Sequence, residues 1–194
     1  MTAVTARQRV LDAAVDLFAT QGYSATSVSQ VIERAGLTKG GFYHHFASKD
    51  ELLYEIYGDL ITRQLASMDD ILGRDLPRSE KLRLVIEDLV VSTAGSAQQA
   101  VVFWRELHHL PDDQTAVYRR ARRRYHDAVR KLIADGQKAG EFGTAGSAET
   151  VTFTIFGVIN ELPLWYRPNG RQRPAQIAAE LADFVLTGLE VHRG

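Results

Sequence analysis

The sequence predicts an all-α protein in two parts, and three observations carry that reading. Apolar residues recur at helical spacing along almost the whole chain. Helix-start signals stand where the periodic segments begin: Thr5 with Gln8, Thr38, Ser48 with Glu51, Ser147, and Pro174. Apolar/polar alternation of the kind that marks strands is not evident. The count comes to about nine helices, with no internal repeat and no low-complexity linker.

The first helix is predicted from Thr5 to Gln21, with Val10, Leu11, Ala14, Leu17 and Phe18 on one face and Gly22 as its stop. A short second helix follows Thr26 or Ser27, burying Val28, Val31, Ile32 and Ala35 before Gly36. Thr38 caps a third, from Lys39 to about Phe46. The box Ser48-Lys49-Asp50-Glu51 opens a long fourth helix whose stripe is Leu52, Leu53, Ile56, Leu60 and Ile61. Longer helices then run from Pro77 to Ser96, from Ala97 to Leu110, and from Asp112 to Gly140. The last of these has Val117, Ala121, Tyr125, Ala128 and Leu132 as its stripe. Ser147 starts a helix reaching Tyr166, with a kink expected at Pro163. The final helix begins at Pro174 and carries Ile177, Leu181, Phe184, Val185 and Gly188.

Composition narrows the class. The 194 residues are 45% hydrophobic, enough for a real core. The absence of cysteine excludes disulfides and thiolate metal sites. The start, Met1 to Arg7, lacks the apolar stretch of a signal peptide, and no run reaches the ~18 apolar residues of a membrane span, so a cytoplasmic protein is expected. The net charge of −1 argues against a bulk polyanion binder. Any nucleic-acid surface must be local, and residues 1–50 are only slightly basic.

The segment from Thr26 to Leu52, TSVSQVIERAGLTKGGFYHHFASKDEL, resembles the DNA-binding signature of TetR-family regulators. The likeness spans about residues 7–55 and agrees at many positions in order. It implies a helix-turn-helix DNA-binding domain over 1–50 and a helical ligand-binding and dimerisation domain over 51–194. The residues themselves fit: Gly40 and Gly41 each destabilise a helix interior by roughly 0.5–1 kcal/mol relative to Ala, a cost that close approach to DNA explains. Phe42 and Phe46, at i and i+4, read as core anchors. Tyr43, His44, His45 and Lys49 fall on or near the exposed side. The resemblance assigns Tyr43, His45 and Lys49 to phosphates and sets Thr38 and Lys39 near base edges or backbone. Ser29 and Gln30 can also reach the groove edge, and Ser27 is counted with the DNA-binding residues. A metal pair at His44 and His45 is disfavoured, because adjacent residues point different ways and no third ligand stands nearby in sequence.

Other features admit plainer readings. Arg119, Arg120, Arg122, Arg123, Arg124, Arg130 and Lys131 read first as a solvated helix face, and second as an anion site. Glu106-x-x-His109 is half of a di-iron motif whose other half is missing, which leaves a helical-bundle enzyme, or a binding protein without regulatory role, as the alternative class. The run from Val151 to Tyr166 is apolar nearly all round. With the last helix it resembles the pair that makes the TetR-family dimer. Trp165 to Gly170 and Lys138 to Phe142 resemble a subgroup of actinobacterial regulators of lipid and sterol breakdown that sense acyl-CoA thioesters. Residues 147–166 hold no Lys or Arg, so an acidic head would have to meet Arg105 or the Arg119–Arg124 run. The expected effector residues are Phe103, Trp104, His108, Tyr118, Arg122, Tyr125, Phe156 and Asn160, for a largely apolar small molecule that releases a repressor from its operator. No cofactor and no metal is implied.

Overall fold

The computed structural model describes residues 5–106, 109 and 111–191, without the side chains of Tyr57, Phe103, Trp104, Asp113 and Gln114. The described residues form helices and no strand: α1 Ala6–Gln21, α2 Val28–Ala35, α3 Lys39–Tyr43, α4 Lys49–Gly73, α5 Arg78–Gly95, α6 Ala97–Glu106, α7 Asp112–Lys138, α8 Ala148–Trp165 and α9 Pro174–Gly188. They divide into two compact units. One holds the chain up to Leu60 together with Ser96–Tyr118; the other holds Ile61–Gly95 together with everything from Arg119 onward.

The amino-terminal unit is built on α1. Val10, Leu11, Ala14 and Phe18 are buried along it, and α1 packs against both α2 and α6. Each short helix begins on a polar side chain that satisfies a free backbone N–H. Thr5 accepts from Gln8 and Ser27 from Gln30, and Thr38 accepts from Gly41. Gly36 ends α2 in the left-handed region at φ 63°, where a side chain would be strained. Phe42 and Phe46 are buried as expected. The third helix is shorter than its sequence predicts: it stops at Tyr43, and His44 and His45 lie in a turn. Two glycines in five residues leave little helical propensity. The Phe42 carbonyl accepts from the N–H groups of both His45 and Phe46, at 2.9 and 3.0 Å, and the ladder closes there.

The second unit has one core, drawn from Leu82, Ile86 and Val90 of α5, Tyr125, Val129 and Ile133 of α7, Ile155 and Ile159 of α8, and Ala182 and Val185 of α9, among others. Among the described residues, α5 and α9 pack against each other most extensively. The small Ala178 and Ala182 face inward there, and Arg83 pairs with Asp183 at 2.6 Å. That packing corrects the stripe predicted for the last helix. The buried face is Ile177, Ala178, Ala182, Val185 and Leu189, and Phe184 is 72% exposed. The α7 stripe is also rotated: Val117 is 43% exposed, while Tyr118, Tyr125, Val129 and Ile133 are buried. Tyr118, Val129 and Ile133 take the inner positions one residue along. Pro163 sits in the last turn of α8, two residues before its end at Trp165, so the one N–H it removes lies where the helix is about to stop.

A tight joint connects α7 to α8. Gly140 turns the chain at φ 72°, and the N–H groups of Glu141 and Phe142 both reach the Gly136 carbonyl. Phe142 then folds back over Gly136, where a Cβ would overlap its ring. Gly136→Ala should therefore destabilise the protein by about 1–3 kcal/mol in urea denaturation followed by circular dichroism. An unchanged or higher midpoint would mean that Phe142 does not pack there.

Candidate nucleic-acid interface

The exposed face of the α2–α3 pair follows from what its caps and core already consume. Ser27, Ser29, Gln30, Thr38, Lys39, Gly40, Tyr43 and His44 are exposed, whereas Gly41, His45 and Lys49 are half-buried. Several polar groups are committed inside the protein. The Ser27 hydroxyl accepts from the Gln30 N–H, and Gln30 Oε1 accepts from the Ser27 N–H at 2.7 Å, a reciprocal capping box. Thr38 Oγ1 accepts from Gly41 N at 3.1 Å. Tyr43 packs edge-on against Phe42, and the His45 ring lies between His44 and Phe46.

The two glycines of α3 differ in cause. A Cβ on Gly41 would come within 3.3 Å of the Thr38 cap oxygen, so the cap itself disfavours a side chain there. A Cβ on Gly40 would meet nothing within 4 Å. Nothing in the described structure requires glycine at that exposed position.

Lys49 has an internal role that sequence reasoning missed. It is the first residue of α4, and its ammonium donates to the Tyr23 carbonyl at 2.8 Å and the Thr26 carbonyl at 2.9 Å. It also lies 4.1 Å from the centre of the Tyr23 ring. Two of its three protons hold the turn between α1 and α2. Tyr23 is itself a junction: its hydroxyl donates to Asp50 and its ring meets Phe18 edge-on. Its N–H points at Glu106 Oε1, and His109 stacks on it at 5.0 Å. Burial, and then the hydrogen bond to Asp50, push its phenol well above the ordinary tyrosine range, so it stays protonated. The Glu106-x-x-His109 spacing is thus spent on the α1–α2 turn: His109 Nε2 lies 3.5 Å from Glu106 and 3.4 Å from the Ser24 hydroxyl. Tyr23, Asp50 and Glu106 carry no sequence signal, because their partners are 27 and 83 residues apart.

The predicted effector residues are distributed as follows. Tyr125 and Phe156 are buried and meet edge-on at 5.6 Å, and Asn160 is half-buried on α8. Tyr118 is buried and Arg122 half-buried. The side chains of Phe103 and Trp104 are not described, and His108 lies outside the described residues. The basic run is partly paired: Arg124 with Asp69 at 2.6 Å, Arg130 with Asp127 and Glu149, and Lys131 with Asp135. The bond from Lys131 is the main reason the Asp135 carboxyl lies below its usual range.

Known proteins give this geometry a context. Residues 10–56 match the family model described as bacterial regulatory proteins, tetR family, and residues 75–189 match the tetracyclin repressor-like C-terminal domain. The transcriptional repressor KstR2 of Rhodococcus jostii is 24% identical over 184 residues, 94% of this chain and 90% of the relative. The structure of the ketosteroid transcriptional regulator KstR2 of Mycobacterium tuberculosis superposes with a TM-score of 0.87 at 23% identity, covering 98% of each chain. AibR, solved in complex with isovaleryl coenzyme A and operator DNA, superposes at 0.79 with 20% identity, covering 96% of this chain and 100% of its own. The chain belongs to the TetR family of bacterial regulatory proteins. It is a DNA-binding transcriptional regulator, and the family is one of regulators rather than enzymes. No helix among the described residues is long and apolar enough to cross a membrane.

The position of Lys49 yields a test. Lys49→Met keeps the stem and removes the ammonium, and should lower unfolding stability by about 1–2 kcal/mol. Its loss of DNA affinity should persist at high salt, because a displaced helix is not restored by screening. Unchanged stability with a salt slope reduced by about one would instead make Lys49 a simple phosphate contact.

Proposed function

We propose that this protein is a repressor that binds its operator as a homodimer and leaves it when a lipophilic small molecule enters the helical body. The observation that carries the DNA reading is Gly40, a helix-weakening residue that faces open space at the exposed start of α3. A stretch of helix kept bare without internal need fits one that lies against a groove floor. In this reading Ser27, Ser29, Gln30, Thr38, Lys39, Gly40, Gly41, Tyr43, His44, His45 and Lys49 form or support the contact surface. Residues 1–50 carry DNA recognition and residues 51–194 carry effector binding and dimerisation, in the cytoplasm where the operator lies.

The dimer reading rests on the second unit. Phe153 is 59% exposed and Leu164 63% on α8, with Trp165 beside them and Phe184 exposed on α9. Gly157 and Gly188, on the same two helices, have nothing within 4 Å of a would-be Cβ. Such a spread of large apolar groups is unusual on a monomer, and two recognition helices read two half-sites far more specifically than one. The effector reading rests on the aromatic pairing of Tyr125 with Phe156 and extends to Arg122 and Asn160 of the same unit. It also draws on the similarity to a ketosteroid regulator and to a regulator solved with an acyl-coenzyme A.

Gly40→Ala separates fold from function. Folding stability should hold or rise by about 0.5–1 kcal/mol, while affinity for the promoter DNA upstream of its own gene, measured by fluorescence anisotropy, should fall by about tenfold or more. Equal affinity for both forms would remove α3 from the interface. Phe184→Glu should convert dimer to monomer in sedimentation velocity without unfolding the protomer, since that side chain supports no internal core. A dimer that survives the substitution would contradict the α8–α9 interface.

A further inference from the structure

Ser96–Tyr118 folds into the same compact unit as α1, α2 and α3, although it lies far beyond them in the chain. Within that unit α6 packs on α1, and its last residue, Glu106, is only 8% exposed. Glutamate is rarely buried without a partner, and this one is set against the α1–α2 turn. Its Oε1 stands 3.4 Å from the Tyr23 nitrogen, and a Cβ added to Gly22 would lie 4.0 Å from the same oxygen. Its Oε2 stands 3.5 Å from His109 Nε2, which in turn lies 3.4 Å from the Ser24 hydroxyl. The His109 and Tyr23 ring centres are 5.0 Å apart. Gly22, Tyr23 and Ser24 are thus all approached from the end of α6. The polar contacts are long and individually weak, and they act together. A carboxyl Oε1 accepts from a backbone N–H whether or not the other oxygen carries a proton, and an Nε2–H suits a ring nitrogen with an oxygen on either side.

We propose that Glu106 and His109 are positioning residues for DNA recognition, acting through Tyr23 on the α1–α2 turn. Lys49 holds that turn by its carbonyls, and Glu106 holds it by an N–H. The turn runs directly into Ser27, the cap of α2, and α2 packs against α3. A shift of Gly22–Ser24 therefore changes how α2 and α3 are presented together. The inference rests on the DNA-binding activity of the family and is independent of the effector reading. Neither residue touches DNA in it. Base edges are read only by side chains held accurately in the groove, whereas attraction to phosphates tolerates misplacement. Loss of positioning therefore removes sequence-specific binding and spares non-specific binding. Partial unfolding behaves differently, since it lowers both by one factor, the fraction that remains folded.

The experiment uses the full-length protein with two duplexes: operator DNA selected by the unaltered protein from a random pool, and a scrambled sequence of the same length. Fluorescence anisotropy at low salt gives both affinities, and circular dichroism checks that each variant is folded. Glu106→Ala removes the oxygen facing Tyr23 and should weaken operator binding about tenfold. Its affinity for the scrambled duplex should change by less than about twofold, because the phosphate contacts are untouched. Glu106→Gln keeps an oxygen for the Tyr23 N–H and should return operator binding to within about threefold of the unaltered protein. Exchange of the Tyr23 amide proton, followed by NMR, should quicken in Glu106→Ala and not in Glu106→Gln. His109→Gln keeps a side-chain N–H and should bind operator more tightly than His109→Ala. Should Glu106→Ala fail to fold, the two His109 variants carry the same comparison. Operator affinity unchanged in Glu106→Ala and in His109→Ala overturns the proposal. So does an equal fall in operator and scrambled affinities, which makes the pair packing alone. Equal losses in Glu106→Ala and Glu106→Gln overturn the part given to the Tyr23 N–H.

Discussion

The amino-terminal unit depends on how the turn between α1 and α2 is held, and Tyr23 is where that is settled. A turn between two short helices exposes carbonyls and N–H groups that need partners. Here the Tyr23 and Thr26 carbonyls are taken by one ammonium from the start of α4, and the Tyr23 N–H faces a buried carboxylate at the end of α6. The hydroxyl of the same residue reaches Asp50. Four elements thereby meet at one turn, centred on Tyr23. Since α3 is only five residues long and helices of that length do not persist alone, its orientation must be imposed by this surrounding frame.

The same accounting explains which groups the α2–α3 surface leaves outward. Caps consume the Ser27 and Thr38 hydroxyls and one end of Gln30, Phe42 and Phe46 are spent on the core, and Lys49 is drawn inward. What is left outward is Ser29, Lys39, the bare Gly40, Tyr43 and His44. Specificity in such a surface comes from few side chains held accurately rather than from bulk charge, in keeping with a chain whose net charge is −1. The second unit resolves its packing differently. Alanines let α5 and α9 approach closely, and the large residues of α8 and α9 that do not fit inside are turned to the surface.

Much of this is legible in the sequence because it is local. Caps at Thr5, Ser27, Thr38 and Ser147 act within three residues, and the helical period locates Val10, Phe18, Leu52 and Ile56 inside without knowledge of the fold. Periodicity overextends the third helix because it registers Phe42 and Phe46 but not the closing of the Phe42 carbonyl on both following amides. It misplaces the α7 and α9 faces for a related reason: several faces of those helices are apolar enough, and the choice is made by the neighbour. The Tyr23 junction is invisible to it. The partners of Tyr23 are distant in sequence, and Glu106 with His109 resembles half a metal motif until their contacts with Tyr23 and Ser24 are seen.

The central claim is that a small bare helix, held from behind by the α1–α2 turn, is the surface that meets DNA. Amide hydrogen exchange of the protein with and without its operator DNA tests this most directly. The account predicts new protection concentrated in residues 38–45, with little change in the Arg119–Arg124 segment of α7. Protection of the arginine segment with residues 38–45 unchanged would contradict it.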